Sequence, residues 1–396
     1  MSLAALICAY HESEEPGGRL RAVLPLAGRT LVERQARLAA AAGAHPVVIL
    51  VERMPAELVA AIDRMRTEGI SAVVARTVSA AAEAVRPGDR LLLVADGLIA
   101  DETHLSRLAA APGSAILTVP DQAGDDRFER IDADSRWAGL ALVEGDLLRD
   151  TASMLNDWDL QSTLLRRAVQ GGARHYAMKG ELAGEGLVIA ERAADLAEME
   201  AGIVEAAGAA RDDWASHYLL APVERAATRL LMPTAILPEW LDLLAVVLTG
   251  VAAFLFGNDW IWAGLLLLLL ATPLDGVADR LAALRLQGRG DEASWWHYVM
   301  PALAGGALLA LGWSLSPAHG WGCLALAATT LAFLLALHGE TQGRETPGRR
   351  WLAERKGLTW LMLPFAAAGL WVTGLVTLAC YAAGSFFWAQ RQAHSS

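Results

Sequence analysis

The feature that most constrains this chain is a set of long uncharged apolar runs confined to its C-terminal half. A membrane-spanning helix needs about twenty predominantly apolar residues. Residues 241–256, 260–274, 298–315 and 321–337 approach that length, and 357–388 is long enough for two short spans with a turn near 369–374. Six spans are expected, with five as the alternative. The loop after the second run carries Arg280, Arg285 and Arg289. The loop after the fourth carries Arg344, Arg349, Arg350, Arg355 and Lys356, and the tail carries Arg391. The turns on the opposite side hold no Lys or Arg. Positive residues accumulate on the cytoplasmic side, so both termini are expected in the cytosol, with the chain multi-pass in the cytoplasmic (inner) membrane. Trp240, Trp260, Trp321 and Trp388 stand at span ends, where interfacial aromatics belong.

The preceding residues are of a different kind. Most of the net charge of -11 falls in the first half of the 396 residues. That acidity gives no support to nucleic-acid binding, which needs a basic stripe. Three scattered cysteines, Cys8, Cys323 and Cys380, form no disulfide framework or zinc spacing and suit a reducing compartment. Residues 4–9 are too short for a signal peptide and read as a first strand. Runs at 3–9, 47–51, 71–75, 90–94 and 115–119 read as buried strands, with helices at 31–42, 55–67 and 102–110 between them. Such alternation predicts a Rossmann-like α/β domain with a parallel sheet, whose ligands bind beyond the carboxyl ends of the strands. The expected division is 1–190 for this domain, 191–235 for a helical juxtamembrane linker that lies on the membrane or bridges in solvent, and 236–396 for an all-α transmembrane bundle.

Two segments carry resemblances. Pro25-Leu-Ala-Gly-Arg-Thr-Leu-Val-Glu33, an Ala-rich helix, then Ala44-His-Pro-Val-Val-Ile-Leu-Val51 resembles the opening of sugar-phosphate and polyol-phosphate nucleotidyltransferases. Val94-Ala-Asp-Gly97 is similar to their metal-binding strand end, which implies a Mg²⁺-holding role for Asp96 beside a CTP-type nucleotide. An ordinary Asp-Gly turn is the alternative. A triphosphate needs a Gly-rich loop whose backbone N–H groups can approach it. Here Gly17, Gly18, Arg19 and Arg21 could approach a phosphate, whereas Glu12, Glu14 and Glu15 would repel one. Gly18 and Arg21 are the candidate cofactor contacts, Arg21 standing where the family has a lysine.

The second segment is Thr272-Pro-Leu-Asp-Gly-Val-Ala-Asp-Arg280, at the end of the leucine-rich second run. Asp275 and Asp279 are four apart on one helical face, and acidic residues at the edge of a membrane helix are functional candidates by default. A helix simply leaving the membrane, with Arg280 snorkelling, is the alternative. The segment resembles the signature of the CDP-alcohol phosphatidyltransferases, Asp-x-x-Asp-Gly-x-x-Ala-Arg followed by Gly-x-x-x-Asp-x-x-x-Asp. Some members of that family also carry an N-terminal cytidylyltransferase domain, as in the bifunctional inositol-phosphate cytidylyltransferase and di-inositol-phosphate phosphate synthase. The resemblance implies Mg²⁺ or Mn²⁺ held by carboxylates, a CDP-alcohol donor, and a lipid or polyol-phosphate acceptor. Asp275 matches the second aspartate, Gly276 the glycine and Arg280 the arginine, with Thr272 at the first aspartate position and Asp279 at the alanine position. Counting from Gly288 places Glu292 at the third aspartate and Trp296 at the fourth, whereas counting from Gly290 gives Ser294 and Tyr298. His297 is the nearby base able to accept a proton near neutral pH. The expected catalytic residues are therefore Asp275, Asp279 and His297, with Gly276 and Arg280 at the nucleotide and Asp275, Asp279 and Glu292 at the metal. The expected activity is transfer of a phosphoalcohol to an alcohol with release of CMP. The alternative is an inactive homologue that binds nucleotide or headgroup, or scaffolds a partner enzyme. The absence of charges within the remaining spans argues against a transporter. Gly305-Gly306 and the Ala-rich spans are compatible with close helix contacts and a homodimer.

Overall fold

The computed structural model describes residues 2–121, 127–154, 159–177, 187–197, 199–200, 213–232, 234, 236–284, 296–341 and 348–393. The chain divides into two compact units, Met1–Gly202 and Ile203–Ser396.

The first unit is built on buried, nearly continuous apolar strands, the pattern expected where both faces of a sheet are covered. In chain order these are β1 (Leu3–Cys8), α1 (Leu31–Ala41), β2 (Ala44–Leu50), α2 (Ala56–Thr67), β3 (Ala72–Ala75), α3 (Val78–Ala84), β4 (Arg90–Val94), α4 (Glu102–Ala109), β5 (Ala115–Pro120), β6 (Ser135–Glu144), α5 (Gly145–Met154), α6 (Leu160–Gln170) and β7 (Arg174–Ala177). They form a seven-stranded sheet in the order β7-β5-β6-β4-β1-β2-β3. The expectation of a parallel sheet needs one correction, because β6 runs antiparallel to both neighbours, β4 and β5. The reason is local: Asp121 N donates to Asp134 O at 2.9 Å, so β5 and β6 close as a hairpin. A parallel return is usually made through a helix, and among the described residues none lies between β5 and β6.

From β1 the chain moves outward to β2 and β3, then returns to place β4 on the other side of β1. This reversal opens a crevice at the carboxyl ends of β1 and β4. Helix α1 fixes the crevice floor, since Gln35 Nε2 donates to Ala95 O at 3.0 Å and to Leu98 O at 2.8 Å. The same helix is anchored by Glu33, fully buried yet paired with Arg64 at 2.8 Å and capped by Thr30.

The second unit is all helical. A π-helical turn, Ala215–Leu220, runs into α7 (Ala221–Leu231), followed by α8 (Pro238–Gly257), α9 (Ile261–Leu284), α10 (Trp296–His319), α11 (Gly322–Thr341), α12 (Arg355–Ala367) and α13 (Trp371–Ala393). Five of these are long and apolar enough to cross a membrane: α8, α9, α10, α11 and α13. The sixth expected span falls short, because α12 has 13 residues and at 1.5 Å per residue covers about 20 Å of a hydrocarbon core about 30 Å thick. The turn lies where expected, at Gly369, whose φ is +71°. Before α12 the backbone is extended at Leu352, and Ala353 N donates to Ser385 Oγ at 2.9 Å instead of joining a helix. Trp351 O also accepts from Tyr381 Oη at 2.8 Å, so the residues just before α12 are tied to α13.

Burial alone pushes the Glu33 carboxyl upward, but hydrogen bonds from Arg64 and Thr30 outweigh it and leave the group below its ordinary value of 4.5. Its stabilisation is therefore complete above about pH 4.5 and is lost as pH falls through the lower folded value. Glu33→Gln should cost about 2 kcal/mol at neutral pH and flatten the acid limb of the stability curve, as followed by urea unfolding at a series of pH values.

Candidate functional site

The crevice of the first unit is organised around Asp96, just beyond β4 and almost wholly buried. Its Oδ2 accepts from the backbone N–H of Tyr10 at 2.8 Å and of His11 at 2.7 Å, the residues that follow β1. His11 Nδ1 lies 3.3 Å from the same oxygen, and that contact raises the imidazole above its ordinary value despite partial burial. Asp96 N donates to Gln161 Oε1 at 3.1 Å, tying the strand end to α6. Tyr10 Oη donates to Asp159, the N-cap of α6, whose other oxygen accepts from Ser162 N at 2.8 Å. Desolvation opposes ionisation of Asp159, and the hydrogen bonds from Tyr10 and Ser162 reverse it, leaving a carboxyl below its usual range. Gly97 must be glycine: its φ is +76°, and a Cβ there would meet Ala190 O at 2.7 Å. Within this cluster Asp96 Oδ1 is buried without a hydrogen-bond partner, leaving one carboxylate oxygen available to a cation or a ligand hydroxyl.

The other expected contacts of this unit are engaged differently. Arg21 bridges to Glu191 at 2.8 Å and donates from Nε to Glu12 O at 3.2 Å. Gly18 sits in a tight hairpin whose sides are joined by Ser13 N to Arg19 O at 2.7 Å and Arg21 N to His11 O at 2.9 Å. The Glu12 carboxylate covers Gly18 and takes Arg53 at 2.6 Å. Glu14 pairs with Arg192, and Glu15 accepts from Ala193 N at 3.0 Å. The acidic residues of the loop thus serve as its fastenings. Their partners lie far away in sequence, at 53 and 191–193, which is why the loop composition alone suggested only repulsion of phosphate.

In the second unit Asp275 stands on α9 with Gly276 N donating to its Oδ1 at 2.9 Å. Arg355, in the first turn of α12, forms an ion pair with it, and Lys356 Nζ lies 3.0 Å from Oδ1. Thr272 Oγ1, one turn earlier, accepts from Trp360 Nε1 at 3.0 Å. Asp279 follows one turn later and is half-buried. Arg280 is buried against Glu224 of α7 at 3.3 Å. Glu292 and the side chain of His297 lie outside the described residues. Arg355, Lys356, Trp360 and Glu224 were missed as site residues by the sequence reasoning. A signal existed for the cations, since two positive residues at a helix N-terminus oppose the helix dipole unless an anion compensates them.

Beside this cluster the helices enclose a cavity of about 430 Å³, within the range of small-molecule sites. Phe256, Leu265, Leu311 and Leu334 line its apolar part. Thr272, His338, Arg349, Glu354 and Arg355 line the part nearer Asp275. The cavity has extended backbone at Leu352 and Glu354 along its wall, because α12 begins only at Arg355. Among the described residues no three His, Cys, Asp or Glu side chains are grouped to hold a metal ion. The described residues therefore do not, by themselves, fit the carboxylate-bound Mg²⁺ or Mn²⁺ that the resemblance implies.

If the ion pairs of Asp275 hold α12 against α9, Asp275→Ala should lower stability by about 2–3 kcal/mol, because Lys356 and Arg355 lose their shared anion. In a double-mutant cycle with Lys356→Ala, thermal unfolding in detergent should show coupling of about 1 kcal/mol or more rather than additivity.

No family model matches the chain, and no curated protein matches it. Among solved structures, the N-terminal half is similar to a nucleotidyl transferase from Methanothermobacter thermautotroptrophicus, at 19% identity and a TM-score of 0.36. That match covers 52% of this chain and 99% of the other.

Proposed function

We propose that this protein is a membrane-bound phosphotransferase of the CDP-alcohol type, acting in the synthesis of phospholipids or other polar headgroups. The observation that carries the proposal is the amphipathic cavity of the second unit. Its leucine- and phenylalanine-lined part suits the alkyl portion of a lipid, and its Arg355 end suits the phosphate of a headgroup or donor. In the reaction the acceptor hydroxyl attacks the phosphorus of the CDP-alcohol, the bond to the CMP oxygen breaks, and CMP leaves. Asp279 takes the hydroxyl proton, and Arg355 and Lys356 offset charge developing on the phosphoryl oxygens. The arginine-rich loops favour a cytosolic setting for this end of the bundle and for both termini. The α/β unit supplies a nucleotide-binding crevice at Asp96.

Purified full-length protein, given Mg²⁺ or Mn²⁺ and a panel of CDP-alcohols with lipid and polyol-phosphate acceptors, should release CMP. Asp279→Ala should reduce the rate about 100-fold or more, the usual contribution of a positioned base. A second reading is favoured by the ion pairs at Asp275, which leave that carboxylate compensated as in a binding protein: an inactive homologue that holds headgroup or nucleotide. Absence of CMP release with every donor and acceptor would decide for it. The crevice is tested separately by CTP, which should raise the thermal stability of the protein. Asp96→Ala should abolish the shift, and an unchanged shift would remove Asp96 from the nucleotide site.

A further inference from the structure

The segment Ala215–Leu231 is amphipathic in the wrong sense for water. A surface helix of a soluble protein buries an apolar stripe and exposes a polar one. Here the buried residues include an unusual share of polar side chains: Asp213 just ahead of the helix, then Ser216, Glu224 and Thr228, each at most a few per cent exposed, beside Ala215 and Leu220. Glu224 meets the buried Arg280 at 3.3 Å, and Asp213 Oδ2 caps the first turn by accepting from Ser216 N at 3.2 Å. Desolvation raises the Asp213 carboxyl above its ordinary range, the direction expected for an acid turned inward. The outward residues are apolar: Tyr218 is 55% exposed, Val223 53% and Leu230 75%, with Leu219 beside them. Arg225 and Arg229, four apart and exposed, form a row along one edge of this apolar face.

We infer that Ala215–Leu231 is an interfacial membrane helix, seated at the boundary between headgroups and acyl chains. Its apolar face enters the lipid, and Arg225 and Arg229 meet headgroup phosphates. Lipid is the occupant because the first span, α8, follows directly in the chain and likewise exposes apolar side chains at its start. Ile236, Leu237, Trp240 and Leu244 are all exposed there, and Tyr218 also stacks on exposed Trp351 at 5.9 Å. The inward turn of these polar side chains follows from that setting, since an apolar medium outside offers them no hydrogen-bond partner. The helix also sets depth. Asp275 is five residues before Arg280 on α9, about 7.5 Å along the axis, so Glu224 holds the Asp275 cluster near the headgroup layer. The inference stands independently of the proposed reaction.

The test uses full-length protein with the exposed Cys380 replaced by serine, Cys8 and Cys323 being buried. Single cysteines at Leu230→Cys, Val223→Cys and, in the α/β unit, the exposed Met154→Cys are labelled with an environment-sensitive fluorophore. The proteins are placed in single-copy nanodiscs of phosphatidylcholine and phosphatidylglycerol. Dyes at 223 and 230 should be quenched by headgroup-depth nitroxide lipids, resist aqueous iodide, and emit to the blue of the dye at 154, which should respond in the opposite way. Iodide quenching at 230 without lipid quenching would overturn the inference in favour of solvent. Protection from both quenchers would overturn it in favour of protein, and protection appearing only when several copies share a vesicle would assign the face to a second copy.

Discussion

A carboxylate at the edge of an apolar helix bundle must be compensated, and the second unit is arranged around that requirement. Asp275 draws Arg355 and Lys356 onto one point, which fixes the start of α12 against α9. The two cations in turn need Asp275, because at a helix N-terminus they stand against the dipole. Glu224 and Arg280 repeat the arrangement a little further along α9, buried more deeply and joining α7 to the same helix. Such pairs add little net stability compared with well-packed apolar residues, but removing one partner is costly. Their value is specificity of placement. They decide where α12 begins, and its late start leaves extended backbone along the cavity.

The α/β unit handles its central carboxylate in another way. Asp96 accepts two backbone N–H groups at one oxygen, with the His11 imidazole 3.3 Å from the same atom. These N–H groups follow β1, where a nucleotide-binding crevice would present donors to a phosphate. Asp96 uses them internally. A phosphate entering this crevice must therefore take its donors from elsewhere or displace Asp96 from them, and a cation at Oδ1 would be the gentler entrant. The loop of Gly17 and Gly18 is likewise fastened, its acids bound to Arg53, Arg192 and the backbone at Ala193.

Much of the fold was legible because it rests on periodicity and hydropathy. The five expected strands and three helices of the α/β unit lie within a few residues of their expected ranges, and four of the apolar runs became long helices. The missed features depend on pairings between distant residues. Strand β6 was not anticipated to run antiparallel, although the stretch before it holds no helical pattern and so no crossover. The span near 357–367 looked apolar enough to cross, but helix length also depends on where capping fails, and Ser385 takes the N–H at Ala353 from across the hairpin. Glu224 read as one charge of a linker, because its partner Arg280 is 56 positions away. The inverted face of Ala215–Leu231 was invisible for the same reason: composition gives an amphipathic helix, but only packing tells which side turns inward.

These observations meet in one energetic question, the exchange of partners at Asp275. For a headgroup phosphate or diphosphate to gain Arg355 and Lys356, it must offer them at least what Asp275 offers. A dianionic phosphate with three acceptor oxygens does so, since charge-assisted hydrogen bonds to Arg are strong and frequently bidentate. Asp275 would then be left partly buried without its cations, and removing the partners of a buried carboxylate is costly. A divalent cation brought in with the phosphate removes that cost, while a monoanionic ligand arriving alone does not. Under the proposed function, the ion pairs at Asp275 would therefore set a threshold that favours ligands carrying several phosphate charges over neutral lipids, which have nothing to offer Arg355 and Lys356.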